Sequence, residues 1–485
     1  MTKFSEKVRE IIQSSGYTIY QIAKQSGMGR TSLHKMMSGD LVPSKEFMEK
    51  FYHYFRMLPA ERAELEHLYM IEKIGPVHYE NRVYIRQIIE DLSGYYSFSS
   101  EVQIGSTEEN YLSESESRDF FSTLELIGWV LEQEFRNYEK PIMYLNLPLR
   151  SKELSDFIYR FLKKTDRDFK VKQLVMVNQN PGKLTDANYN LRIFNRILPL
   201  IMTFTKRYEV HTYYSTCDEK DSYPFLWPFY IITHDYVTMI SADVTSSYLQ
   251  KNKQIIDKYT KEFRKIYENT ESMVEYCPNA HIAFQKYASS FYRYGMPTYS
   301  LENKPCPLVM MNEEIFDQLA GEAAQKFPDF YKAFKKYCLE DYNKDYNKTA
   351  NSTYTTIQLF PRYGVKSFLD NGTVFDKTGI FPGAVDKETA TVMLETYVEN
   401  CRKSEMTVNM VLDSKIKIPE NLMIEVFGHQ TVVLFFVLDE QHMSFLEIKE
   451  SSICEAFSDF LEYIKESDMS ASTEDTLEYI EKMIQ

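Results

Sequence analysis

The chain is short of paired cysteines. Its six, Cys217, Cys277, Cys306, Cys338, Cys401 and Cys454, are scattered, with no CxxC, no Cys/His cluster and no zinc spacing. That excludes zinc-ribbon and dithiol redox chemistry and predicts reduced thiols in a cytoplasmic protein. Long apolar runs are missing too, so no segment reads as a membrane span. The chain enters an amphipathic helix at once, and no secretory leader is expected. GxGxxG, Walker, HExxH and GxSxG motifs are all absent. The expectation is therefore no catalytic residue, no metal, no cofactor and no enzyme activity.

A basic balance is also lacking. The 485 residues carry 70 acids against 56 Lys and Arg, a net charge of −14. The N-terminus departs from this. Lys3 to Lys45 holds seven cations (Lys3, Lys7, Arg9, Lys24, Arg30, Lys35, Lys45) against Glu6, Glu10 and Asp40, a net +4 that leaves −18 for the rest. A polyanion is attracted to the first segment and repelled by the remainder. Aromatic residues are plentiful, with 37 Tyr and 32 Phe, which predicts Tyr-rich cores and surfaces.

The cationic segment has an internal pattern. Thr18 followed three residues later by Gln21 is a capping box at a helix start. Ile22-Ala23 supplies a buried step with one small residue. Gly27 stands where that helix must stop. Met28 points inward, and Gly29 opens a second helix. Helical periodicity, counted from Arg30, puts Leu33, Met36 and Met37 together on one arc of that helix. Arg30, Thr31, His34, Lys35 and Ser38 share the remaining arc. The apolar and polar arcs are separate. The polar arc offers a guanidinium suited to guanine edges, together with hydroxyls, an imidazole and an ammonium. Phe4, Val8, Ile11 and Ile12 have helical spacing, as do Phe47, Phe51 and Phe55 after Ser44, a further N-cap. Leu58-Pro59 starts another helix carrying Leu65 and Leu68.

Thr18, Ile22-Ala23, Gly27-Met28, Arg30-Thr31, Leu33, Gly39 and Pro43, in that order and spacing, resemble the Cro/C1-type (XRE) helix-turn-helix domain over residues 4–58. The resemblance implies a five-helix domain that binds operator DNA as a dimer. It implies base reading by Arg30, Thr31 and His34, and backbone contacts from Lys35, Ser38 and the start of the first motif helix, where Thr18 and Gln21 stand. Lys24 is placed with the phosphate contacts. Ile19 stands where the family often has a DNA-contacting Gln and has no hydrogen-bonding group. Gln21 and Tyr20 are its polar neighbours.

The remainder is expected to be α/β, making the whole an α+β multidomain chain. The division read from the sequence is 1–75 helix-turn-helix domain, 76–135 helical connector, 136–275 first α/β module, 276–350 Tyr-rich helical connector, and 351–485 second α/β module with a closing helix. Strands are predicted at Ile142 to Leu147, Lys172 to Val177, Glu209 to Tyr214, Phe229 to Thr233 and Val237 to Ala242. Further strands follow at Thr407 to Leu412, Met423 to Phe427, Val432 to Val437 and Phe445 to Ile448. Three pairs of elements recur at offsets of 195 to 198 residues: helices 191–204 and 387–401, strands 237–242 and 432–437, helices 255–267 and 453–464. These offsets are those of a duplicated module or of two α/β segments alike by chance, and strand order decides between them. Ile418 to Leu422 through Ser452 to Tyr463 resembles C-terminal regions of large helix-turn-helix regulators, which implies a regulatory or sensory module. Some regulatory domains derive from the phospholipase D fold, whose chemistry needs His-x-Lys. None of the nine His here is followed by Lys two positions on. His234, Asp235 and Asp243 flank a predicted hairpin, where all three read as turn residues.

Two functions follow. One is a sequence-specific DNA-binding transcriptional regulator, with double-stranded DNA and a second copy of the chain as partners and a small-molecule or protein effector. The other is a protein-interaction or defence scaffold whose DNA-binding domain is mainly autoregulatory.

Overall fold

The computed structural model describes residues 2–92, 114–117, 119–165, 167–179, 187–215, 226–272, 275–277, 280–341, 356–374, 381–404, 407–420, 422–439 and 442–485. It divides into two compact units, Met1–Val83 and Tyr84–Gln485. The first is all-helical: α1 (Lys3–Ser14), α2 (Ile19–Ser26), α3 (Arg30–Ser38), α4 (Lys45–Phe55), α5 (Pro59–Ile74) and the first turns of α6 (Pro76–Asp91). Its core is built from Phe4, Val8, Ile12, Ile22, Met28, Leu33, Met36, Met48, Phe51, Leu65 and Tyr69. The end of α6 buries Ile85, Ile88 and Ile89 in the second unit.

The second unit carries one α/β plan twice. Its first half runs β1 (Glu114–Ser117), α7 (Phe120–Asn137), β2 (Ile142–Asn146), α8 (Lys152–Lys163), β3 (Lys170–Asn178), α9 (Tyr189–Phe204) and β4 (Tyr208–Ser215). It continues β5 (Phe229–Ile232), β6 (Val237–Ile240), β7 (Ser247–Gln250), α10 (Lys253–Tyr267) and β8 (Glu271–Ser272). The second half opens β9 (Glu275–Cys277), α11 (Ala280–Tyr294) and β10 (Tyr299–Leu301), followed by α12 (Glu313–Ala320), α13 (Ala323–Lys326) and α14 (Pro328–Lys336). Then come β11 (Ile357–Pro361), α15 (Arg362–Asn371), α16 (Lys387–Ser404), β12 (Thr407–Val411), β13 (Leu422–Phe427), β14 (Thr431–Asp439) and β15 (His442–Ile448). The chain closes with α17 (Ser451–Glu466) and α18 (Thr473–Ile484). The polar run Asp341 to Lys348, read from the sequence as a loop, lies beyond Asp341 outside the described residues.

The two sheets have the same order and sense. The first runs β1-β7-β6-β5-β2-β3-β4-β8, and the second, read from its far edge, β9-β15-β14-β13-β10-β11-β12. In each, three strands are parallel (β2, β3, β4 and β10, β11, β12) and the others antiparallel. The counterpart of β8, which pairs with β4, is an antiparallel bridge from Val411 to Ser470 on the outer edge of β12. Equivalent rows carry different chemistry. Leu145 lies between Gln173 and Ile231, whereas Ser300 lies between Gln358 and Glu425. A glutamine on the middle parallel strand accepts from a buried tyrosine in both halves: Gln173 of β3 from Tyr208 of β4, and Gln358 of β11 from Tyr397 of α16.

The segments read as connectors contribute strands to these sheets. β1 falls within 76–135 and β10 within 276–350, and β9 straddles the boundary at 275/276. Each has four residues or fewer, too few for the alternation that marks a strand to show. Several tyrosines of 276–350 serve the core: Tyr287, Tyr331 and Tyr337 are buried between α11, α14 and the second sheet. α15 approaches the end of β10 so closely that a Cβ on Gly364 would overlap the Asn303 carbonyl. Gly364→Ala is expected to cost about 2 kcal/mol through this backbone clash, read as a lower denaturation midpoint for the larger unit.

Candidate nucleic-acid interface

The helix pair forms as its local signals dictate. Thr18 Oγ1 accepts from the Gln21 N–H at 3.3 Å, while Gln21 Oε1 accepts from the Thr18 N–H at 2.9 Å, closing the capping box of α2. α2 stops at Gly27 with φ 71°, and α3 stops at Gly39 with φ 84°, both left-handed conformations that glycine adopts without penalty. α3 turns Leu33 and Met36 fully into the core, with Met37 half-buried. Its outer face presents Arg30, Thr31, His34, Lys35 and Ser38, all exposed. The predicted arcs and the observed faces coincide. Thr18→Ala is expected to destabilise the first unit by about 1 kcal/mol, the typical worth of an N-cap, seen as a lower unfolding midpoint of that unit.

α3 is held at both ends. Ile22 of α2 packs beneath it, and Arg9 Nη2 of α1 donates to the Met37 carbonyl at 2.9 Å, capping its last turn. Tyr54 Oη donates to Gln25 Oε1 at 2.6 Å, tying α4 to α2. Lys7 meets Glu64 at 2.8 Å between α1 and α5, and that bond holds the ammonium above its ordinary pKa. Arg9 was legible only as a charge, because its bond to α3 spans 28 residues.

The eight sequence-selected residues share the surface of α2 and α3, and all are exposed. They are not equally available. Among the described residues, the charged or ring groups of Lys24, Arg30, His34 and Lys35 have no intramolecular partner. Thr18 and Gln21 are engaged with each other, since Thr18 Oγ1 also donates to Gln21 Oε1 at 2.9 Å; the Gln21 amide N–H groups stay outside that bond. Ser38 Oγ donates to Asp40 Oδ2 at 2.6 Å, so a carboxylate stands beside the position expected to meet a phosphate. Tyr17 and Tyr20, at the start of α2, are 51% and 60% exposed. Tyr20 was marked by its place next to Ile19, whereas nothing in the spacing marked Tyr17.

The other polar group named from the sequence does not converge. His234 and Asp235 occupy the β5–β6 turn, and Asp243 the β6–β7 turn, at opposite ends of β6. Asp243 accepts from Ser241 Oγ at 2.6 Å and the Thr245 N–H at 3.1 Å, which holds its carboxyl below the ordinary range. Among the described residues no helix is long and apolar enough to cross a membrane.

No family model matches the chain, and no curated protein matches it. Among solved structures, TrmBL2, an archaeal chromatin protein whose structure shows a novel mode of DNA binding, matches at 12% identity. The match covers 56% of this chain and 94% of that chain with a TM-score of 0.23. The likeness is too distant to argue function, which rests here on the geometry of α2 and α3.

Proposed function

We propose that this protein is a sequence-specific DNA-binding regulator of transcription whose α3 enters the major groove. One observation carries the reading. A short helix locked into its domain by Leu33, Met36 and the Arg9 cap turns outward an unbroken face of unpartnered Arg30, His34 and Lys35 with Thr31 among them. A solvated helix face of this kind ordinarily pairs its cations with nearby carboxylates. Here the one carboxylate next to α3, Asp40, accepts from Ser38 and not from a cation, and the other acids of the first unit stand on α1, α4, α5 and α6.

Arg30, Thr31 and His34 reach base edges, Arg30 with the fork geometry that guanine O6 and N7 accept. Lys24 and Lys35 meet phosphates, and the Gln21 amide joins them from the start of α2. Ser38 contributes only after exchanging its bond with Asp40. The chain acts as a homodimer on two half-sites about one helical turn apart, and the larger unit binds an effector and performs no catalysis. Selection from a random duplex library tests this. The expected outcome is an enriched palindrome whose half-sites repeat at that spacing. Absence of any enriched sequence would overturn the reading.

A further inference from the structure

α10 and α17 are counterparts, each following the last long strand of its half, yet their outer faces differ. α17 is buried through Ile453, Cys454, Ala456, Phe457, Phe460, Leu461 and Ile464, and it carries four acids against Lys465 alone. α10 buries only Ile256, Phe263 and Tyr267, and carries Lys253, Lys258, Lys261, Arg264 and Lys265 against Asp257 and Glu262. The chain beyond Val83 has a net charge of −16, since Met1 to Val83 holds twelve cations and ten acids. A cationic helix face there runs against the local balance.

Beneath that face lies a cavity of about 650 Å³ between α10, β2 and the β5–β6 turn. Lys261, Arg264, Lys265, Tyr144 and His234 line it. The cations are differently placed. Lys253 is neutralised by Asp257 at 3.2 Å, and one Arg264 N–H is spent on Tyr144 Oη at 3.0 Å. The ammonium groups of Lys261 and Lys265 have no partner among the described residues. His234 is fixed in orientation. Its Nδ1 lies 2.6 Å from Oε1 of the buried Glu134, whose carboxylate also accepts the N–H groups of His234 at 3.0 Å and Ile142 at 2.9 Å. Tyr138 stacks on the imidazole at 4.0 Å. The contact with Glu134 occupies Nδ1 and leaves Nε2 as the ring atom available to a ligand.

We propose that this cavity binds a small phosphorylated molecule, its phosphate ligated by Lys261, Lys265 and Arg264, with Nε2 of His234 as a further contact and its organic body against Tyr144. The volume lies in the range of small-molecule sites. A nucleic acid fits less well, because its affinity grows with the number of phosphates neutralised along a track. Here the unpaired cations converge on one cavity in a strongly acidic unit.

The test uses the full-length chain with inorganic phosphate, inorganic pyrophosphate, adenosine 5′-monophosphate and glucose 6-phosphate as probes, followed by calorimetry and phosphorus NMR. The variants are Lys261→Ala/Lys265→Ala, His234→Gln and, as a control on another helix, Lys482→Ala. The two lysines are exposed, so the double variant keeps the fold, which circular dichroism verifies. The expected result is saturable 1:1 binding of at least one probe, weakened tenfold or more in the double variant, weakened less in His234→Gln, and unchanged in Lys482→Ala. Absence of saturable binding by all four probes, or binding indifferent to the double substitution, overturns the proposal. Loss of duplex-DNA affinity in the double variant, with no small probe bound, also overturns it and assigns the face to nucleic acid.

Discussion

Glu425→Gln is expected to stabilise the larger unit at pH 8 and to leave it little changed at pH 4.5. Glu302 and Glu425 are buried together at the second sheet, and Ser300 Oγ lies 2.8 Å from Glu302 Oε1 and 3.0 Å from Glu425 Oε1. Tyr287 Oη donates to Glu425 Oε1 at 2.8 Å, and Glu425 Oε2 has no hydrogen-bond partner. One serine has one hydrogen to give. Both Ser300 contacts are hydrogen bonds only when one carboxyl carries a proton. Burial pushes Glu302 up to about 7, against hydrogen bonds from Ser300 and Cys306. Burial and then the neighbouring Glu302 push Glu425 well above the ordinary range, against hydrogen bonds from Tyr287 and Ser300.

The sign follows from proton counting. Between the unfolded value of 4.5 and the raised folded value near 7, the folded chain holds a proton that the unfolded chain has released. Stability is therefore full below about pH 4.5 and falls as pH rises; Glu302 alone accounts for a loss on the order of 3 kcal/mol by about pH 7, and the raised Glu425 carries the fall further upward. The amide of Glu425→Gln keeps an acceptor for Tyr287 and Ser300 and removes the like charge. At pH 4.5 wild-type Glu425 is itself protonated, with its hydroxyl equally unpartnered, and the variant gains nothing there. Denaturant titrations of the larger unit from pH 4.5 to 8.5 measure this directly. A wild-type curve flat over that interval would show that the pair folds ionised, and a variant no more stable than wild type at pH 8 would show that the Glu425 charge costs nothing there.

None of this was legible in the one-dimensional pattern. Met423 to Phe427 reads as an apolar strand with one acid in it, and β10 is three residues long. The pair exists only because β10 and β13 lie side by side with Ser300 opposite Glu425. Glu134 and His234 make the same point across 100 residues. The sequence places His234 in a turn, where it is, but holds no sign of the buried carboxylate that orients it. By contrast, α2 and α3 were legible almost to the residue. Thr18, Gln21, Gly27 and Gly39 act within one helical turn, and local signals survive without knowledge of the fold. The repeated plan was legible only in its later half. The insertion of α12 to α14 between β10 and β11 shifts the register of everything before it, so offsets near 196 appear only after that point. The shared strand order, which joins the early and late strands, needed the pairing itself.

Arg30→Ala/Lys35→Ala is expected to weaken cognate DNA binding at least a hundredfold while leaving the first unit folded. The two substitutions act on different terms. Arg30 stands at the start of α3 with its guanidinium unpartnered, so its loss removes one base contact, worth about 1–3 kcal/mol, and relaxes preference at one base pair of each half-site. Lys35 stands one turn further on, and its loss removes one phosphate contact. Affinity then falls about equally on all sequences, and the slope of log affinity against log salt falls by about one per subunit. The two side chains are exposed and make no intramolecular bond among the described residues, so the helical signal and unfolding midpoint of the domain should not move. Lys50→Ala on α4, exposed and paired with Glu46 at 3.1 Å, is the control and should bind as wild type does. Separating the single variants across salt concentrations distinguishes base reading from charge. If Arg30→Ala lowers affinity uniformly, Arg30 is a second phosphate contact and the reading residues lie elsewhere on α3. If neither variant moves affinity, α3 is not the helix in the groove.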